Sequence, residues 1–267
     1  MKLGLLTFNM AAEWELDEII DKSLDLGFEG VEFRTQREHA HGVEVDLSAP
    51  QREDVRQKFE DAGLAICGIS TGCAFDAIDQ DLLEANMDEA RAHLDLAADL
   101  NAGGVKVYGN KDHVDDGVPR EDTIAQIGTA LGDLSEYAES LGVKVRFEMH
   151  GDFTSPEDCN TIMELAGDGP GICLIYNCNN AYDVNDEGSI EDSYRAVADR
   201  VGHVHLHDLA DPDFPYLQLV RLLKADDYDG WCTAELPDSP DRERVLQYYV
   251  GLWRAFETIV ELEQQNA

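Results

Sequence analysis

The sequence predicts an α/β fold of the closed (β/α)8, or TIM-barrel, type, with residues 1–267 forming one domain. Three observations carry that expectation. Short apolar runs alternate with amphipathic segments eight times, which calls for parallel strands joined by helical crossovers. Eight repeats favour a closed barrel over an open doubly wound sheet. No GxGxxG turn follows the first strand, and no linker or break in composition divides the chain.

Taken in order, the first strand is read at 3–8 and the first helix at 16–26, ended by Gly27. A second strand spans 31–34, with Glu32 on the opposite face from Val31 and Phe33. A connection through Pro50 reaches a helix at 51–62, stopped by Gly63, and then a third strand at 64–70. The helix at 82–100 is broken by Ala102-Gly103-Gly104 ahead of the strand at 105–108, where alternation turns Lys106 inward. Residues 109–119 form a polar loop, long for a βα connection and therefore a candidate lid or substrate loop. A helix at 120–140 closes at Gly142 and delivers the chain into a strand at 143–150. Helices at 155–165, 189–198, 214–224 and 242–263 alternate with strands at 172–177, 201–208 and 231–236 to complete the pattern.

Composition narrows the partners. With 56 acidic against 20 basic side chains the formal net charge is -36, spread along the whole chain. Such a field repels polyanions, which argues against nucleic acid and anionic membrane as partners. The hydrophobic fraction of 43% and its clear periodicity argue against disorder. The preference for Asp and Glu over Lys resembles proteins of salt-loving archaea, where salt screens self-repulsion; it bears on habitat and not on activity. The N-terminal run meets Asn9, Glu13 and Glu15 too soon for a signal peptide, and no apolar stretch reaches membrane-spanning length, so a soluble, cytoplasmic protein is expected. The six cysteines show no CxxC spacing, which favours buried free thiols over disulfides or a zinc site.

The barrel makes a demand on chemistry, because polar residues at the C-terminal ends of its strands converge on one site. In His203-Val204-His205-Leu206-His207-Asp208 alternation places three imidazoles on one face. Taken alone, these are as well explained by histidines satisfied within a core. Glu148, Asn177, His205 and Glu235, however, end strands five to eight, about one βα unit apart. Carboxylates facing one another repel unless a cation sits between them, and few basic residues are at hand to form salt bridges. Metal binding is the simplest account of these residue types standing together.

At this point Phe147-Glu148-Met149-His150, the turn from Asn177 to Asn180, Val204-His205-Leu206-His207-Asp208 and Ala234-Glu235-Leu236 are similar to the strand ends of the xylose isomerase-like sugar phosphate isomerase/epimerase superfamily. Glu32 in Gly30-Val31-Glu32 resembles a feature of its second strand. The resemblance implies a divalent cation, commonly manganese, magnesium, cobalt or zinc, held by Glu148, His205 and Glu235. Asn177 stands where the family usually has Asp; an amide oxygen still coordinates a hard cation but brings no charge. Oxygen-rich ligation with one imidazole favours manganese or magnesium. The resemblance also leaves room for a homo-oligomer, since members of the family often form dimers or tetramers.

The expected chemistry is metal-assisted proton transfer next to the carbonyl of a keto-sugar or related hydroxy-carbonyl compound, through an enediolate. Glu148 and Glu235, which come from strands separated by two others, can flank the substrate as acid and base, as the family's matching pair does. His150, Asn180, Lys106, Glu32, His207 and Asp208 are the candidate substrate contacts. Loops after strands seven and eight are rich in carboxylate and lack the glycines of a barrel phosphate site, which argues for an unphosphorylated carbohydrate. An inosose-type dehydratase on the same barrel, a sugar- or metal-binding barrel without turnover and, less well supported, an apurinic-site endonuclease are the alternatives.

Overall fold

The computed structural model describes residues 1–167 and 169–266. Apolar runs build the strands, and a helix follows each to cover its outer face. The chain runs β1 (Lys2–Leu6), α1 (Leu16–Leu26), β2 (Gly30–Arg34), α2 (Ala49–Ala62), β3 (Ala65–Ala74), α3 (Gln80–Asp99), β4 (Gly104–Tyr108), α4 (Arg120–Leu141), β5 (Lys144–Glu148) and α5 (Pro156–Ala166). It continues through β6 (Ile172–Tyr176), α6 (Asn180–Asp183), α7 (Glu191–Val197), β7 (Val201–Leu206), α8 (Tyr216–Ala225), β8 (Trp231–Ala234) and α9 (Arg242–Gln265). Each strand pairs in parallel with the next, and β8 returns to β1 with Leu3 opposite Cys232, so the expected eight-stranded barrel closes.

Local signals account for the boundaries. Glu15 and Glu18 form a capping box on α1, and Ser48 and Gln51 form one on α2, where Pro50 occupies the first turn. Gly27 ends α1 at φ +91, a conformation that side chains rarely adopt. Strands β6, β7 and β8 stop at Tyr176, Leu206 and Ala234, so the chain turns away sooner than alternation alone suggests. β3 instead runs past Ser70 to Ala74. α6 is a four-residue turn that hydrophobic periodicity does not reveal. All six cysteines are buried and free. No helix among the described residues is long and apolar enough to cross a membrane.

Outward-facing residues such as Leu5, Phe33, Val107, Phe147 and Val204 are buried beneath the helices. The inward face departs from the Val, Ile and Leu filling usual in these barrels. Glu32, Lys106, Arg146, Glu148, His203 and His205 lie there, none more than 8% exposed. Glycines make the room. A Cβ at Gly68, Gly103 or Gly104 would lie 2.7, 2.5 or 2.8 Å from a nitrogen of the Arg146 guanidinium.

The loop read as a candidate lid or substrate loop is bonded to its surroundings. Asp76 accepts the backbone N–H groups of Asn110 at 3.1 Å and Lys111 at 3.0 Å. Arg120 bridges Asp112 and Asp158, and the Thr123 hydroxyl donates to the Asp112 carbonyl at 3.0 Å. These contacts anchor both ends of the loop to the barrel.

Candidate active site

The site follows from the parallel register. Glu148 is the last residue of β5, His205 lies near the end of β7, and Asn177 and Glu235 are the first residues beyond β6 and β8. Donor atoms of Glu148, His205 and Glu235 all lie within 4.8 Å of one another, a group that could hold a metal ion. His205 Nδ1 is 2.8 Å from Glu148 Oε1 and 3.4 Å from Glu235 Oε2. Asn177 is 5% exposed, and its Oδ1 is buried without a hydrogen-bond partner.

Beneath this group runs a buried polar chain. Arg146 Nη1 donates to the Cys67 carbonyl at 2.9 Å and lies 3.0 Å from His203 Nδ1. A guanidinium only donates, so Nδ1 of His203 is the acceptor and its proton resides on Nε2. That N–H donates to Glu32 Oε2 at 2.9 Å, where the Thr233 hydroxyl also donates at 2.9 Å. Glu32 in turn accepts from His205 Nε2, at 3.2 Å to Oε2. Glu32, His203 and His205 form a second group of metal-ligand types. The protonated Nε2 of His203 has no lone pair to give, which makes that group a hydrogen-bonded support for His205.

Charges within this core hold one another. Burial alone would raise the Glu148 carboxyl, but Lys106 and then His205 outweigh it and hold it well below the usual carboxylate range. Glu32 is likewise pushed up by burial, then held well below its ordinary value by His205 and His203. Burial lowers His205, yet Glu32, Glu148 and Glu235 together raise it well above a free imidazole. Burial pushes His203 down to about 4, against the pull of Glu32 and with the help of Arg146.

The expected substrate contacts divide. Lys106 Nζ lies 2.7 Å from Glu148 Oε2 and 4.2 Å from the centroid of the Tyr108 ring. The His150 ring packs edge-on against Tyr108 with centroids 4.8 Å apart, and its Nδ1 is buried without a partner. His207 is half-buried, its Nδ1 3.3 Å from the Glu235 carbonyl. Two positions differ from the expectation. Glu32 is 0% exposed and committed to His203, His205 and Thr233, because it sits two residues below the rim of β2, where Arg34 takes its place. Asp208 is exposed and accepts from the Ala210 N–H at 3.0 Å in a local turn, because β7 ends two residues earlier. The side chain of Asn180 lies outside the described residues.

Sequence reasoning missed Arg146 and Thr233, and it gave Arg34 no role of its own. Arg146 was within reach: it precedes Glu148 by two positions and so shares its face.

Solved structures share this barrel. The structure of an L-ribulose 3-epimerase superposes with a TM-score of 0.83 at 16% identity, covering 99% of this chain and 97% of the other. A 3-keto-D-glucoside 4-epimerase from E. coli gives 0.76 at 17% identity, over 96% and 99% of the two chains. A D-psicose 3-epimerase from Clostridium cellulolyticum H10, solved with D-tagatose, gives 0.77 at 14% identity, over 96% and 99%. At these identities the likeness is one of fold. No curated protein sequence matches the chain. The family model described as xylose isomerase-like TIM barrel matches residues 20–255, and the chain belongs to that family.

Proposed function

We propose that the chain is a divalent-metal-dependent isomerase or epimerase acting on a keto-sugar or related hydroxy-carbonyl compound. The observation that carries this reading is the convergence of Glu148, His205 and Glu235 donor atoms within 4.8 Å at the C-terminal ends of the strands. The donor set fits a cation. Asn177 Oδ1 is a buried acceptor without a donor, and an unsatisfied buried oxygen is costly unless something supplies positive charge. Glu148, Asn177, His205 and Glu235 would hold the ion, which three oxygen donors and one imidazole suit to manganese or magnesium. When bound, the ion polarises a carbonyl and stabilises negative charge on its oxygen.

The chain's own residues supply the proton transfers. Glu235, with its side chain 22% exposed, is the more accessible carboxylate and is assigned as the base that takes the proton from the carbon beside the carbonyl. Glu148 is assigned to the opposite face of the substrate, where it delivers a proton taken from the Lys106 ammonium 2.7 Å from its Oε2, while Glu235 keeps the one it removed. Delivery to the same carbon from the other side gives epimerisation, and delivery to the former carbonyl carbon, with the hydroxyl proton passing to the former carbonyl oxygen, gives isomerisation. Lys106 holds Glu148 in place through Oε2, and Glu32, by accepting the Nε2–H of His205, leaves Nδ1 of His205 as the nitrogen that would hold the ion. His150 and His207 are assigned to substrate hydroxyls at the mouth. The epimerases of similar fold support a small carbohydrate as substrate. The acidic excess suits work in the cytoplasm of a salt-rich cell.

Metal analysis followed by deuterium exchange from heavy water into a panel of ketoses tests the proposal. Metal-dependent exchange at the carbon beside the carbonyl is expected. Absence of both bound metal and exchange across the panel would overturn it. Asn177, neutral where the family usually has a carboxylate, favours as second reading a barrel that binds sugar or metal without turnover, which predicts binding with no exchange.

A further inference from the structure

The remaining charge at the barrel mouth lies on the side away from the carboxylates. Arg34 ends β2 and is 8% exposed. Its Nη1 donates to the carbonyls of Thr35 and Ser70, the latter at 3.2 Å. Its Nε and Nη2 make no hydrogen bond to the described residues, yet neither is among the sealed polar atoms. No carboxylate among the described residues lies within salt-bridge distance of it. Arg52, Lys58, Arg120 and Arg242 by contrast hold carboxylates. Keeping a largely buried guanidinium without a counter-ion is costly.

A second guanidinium joins it. The Arg34 and Arg37 guanidinium carbons each lie 5.7 Å from the centroid of Phe8, just beyond β1, so one ring steadies both. His39 stands close enough that, after burial, Arg34 and Arg37 are what push its imidazole down, and its Nδ1 is buried without a partner. Pinning β2 to β3 would use Nη1 of Arg34 alone and would not bring Arg37 and His39 beside it. Arg34 stands two residues above Glu32 on β2, and Glu32 is bonded to His205, so this cluster lies at the same end of the barrel as the candidate metal group. Lys106 is already committed to Glu148, whereas Arg34 is not.

Arg34 and Arg37 thus present two guanidinium groups without a carboxylate partner among the described residues. On the isomerase reading above, which this inference presupposes, they are met by a negatively charged group of the substrate.

We propose that the substrate is an anionic keto-sugar whose terminal carboxylate or phosphate is held by Arg34 and Arg37, with the carbonyl end at the carboxylate group. Both guanidinium forks match either anion.

D-fructose, D-fructuronate and D-fructose 6-phosphate differ only at C6 and separate the two anions. Calorimetric titration of each into the manganese-treated protein should show one of the anions binding about ten-fold or more tighter than D-fructose. Arg34→Gln should abolish that preference. Arg37→Gln, at an exposed position that leaves the fold unaffected, should weaken it several-fold. D-fructose binding as well as both anions, no binding by any of the three, or a preference that survives both substitutions would overturn the proposal. Anion preference without deuterium exchange into any ketose would remove the isomerase reading and leave the subsite; exchange without anion preference would do the reverse.

Discussion

The two halves of the barrel mouth carry opposite chemistry. From β5 to β8 the strand ends present Glu148, Asn177, His205 and Glu235, a group of donors that invites a cation. From β2 to β4 they present Arg34 and Lys106, with Arg37 beyond. In a chain of net charge -36 the second half is the more surprising, since general acidity would place carboxylates there too. The difference teaches that charge at the mouth does not follow the general acidity of the chain.

Substitutions in the carboxylate half should have the largest effects. On the proposed mechanism Glu148→Gln removes an acid/base group and should lower deuterium exchange by about 10²–10⁴-fold, read by NMR of the ketose. An unchanged rate would show that the carboxylate half is not where protons move. Glu32→Gln acts one layer below. It weakens the hold on His205 and should reduce metal affinity by roughly 10–100-fold; because it also breaks a buried pair, stability should fall by about 3–5 kcal/mol. Thermal melts with and without manganese separate the two effects. Asn177→Asp sharpens the comparison by adding a charge, and metal titration should show about ten-fold tighter binding.

A pH-dependent effect lies on the cationic side. His41 is buried, and burial, then His39, pushes its imidazole down to about 4. An unfolded histidine takes up a proton near pH 6.5, and the folded one resists until about pH 4. Stability is therefore intact above pH 6.5 and falls as pH drops toward 4, by up to about 1.4 kcal/mol per pH unit from this residue. His41→Gln should flatten urea-denaturation stability across that window by one proton's worth. An equal slope in both proteins would place the titration elsewhere.

The halves also differ in how far the sequence discloses them. Glu148, Asn177, His205 and Glu235 are legible because each ends its own strand and alternation fixes which face it takes. The cationic half depends on depth. A register shift between Val31 and Glu32 sets how far β2 rises against β3, and it puts Glu32 below the rim and Arg34 on it. Arg37 and His39 lie in a loop whose path no periodicity encodes. Arg146 was hidden for another reason: a buried guanidinium is unexpected in a barrel core, and only the space left by Gly68, Gly103 and Gly104 explains how it fits. The tethered loop at 109–119 shows that length and polarity identify a loop but not its freedom, which Asp76 and Asp112 decide through bonds to distant partners.

The most direct test of the central claim is a crystal structure of the protein soaked with manganese and measured at the metal's absorption edge. One anomalous peak, bonded to Glu148, Asn177, His205 and Glu235, is the predicted result. No peak there, with His205 Nδ1 still between the two carboxylates, would contradict it.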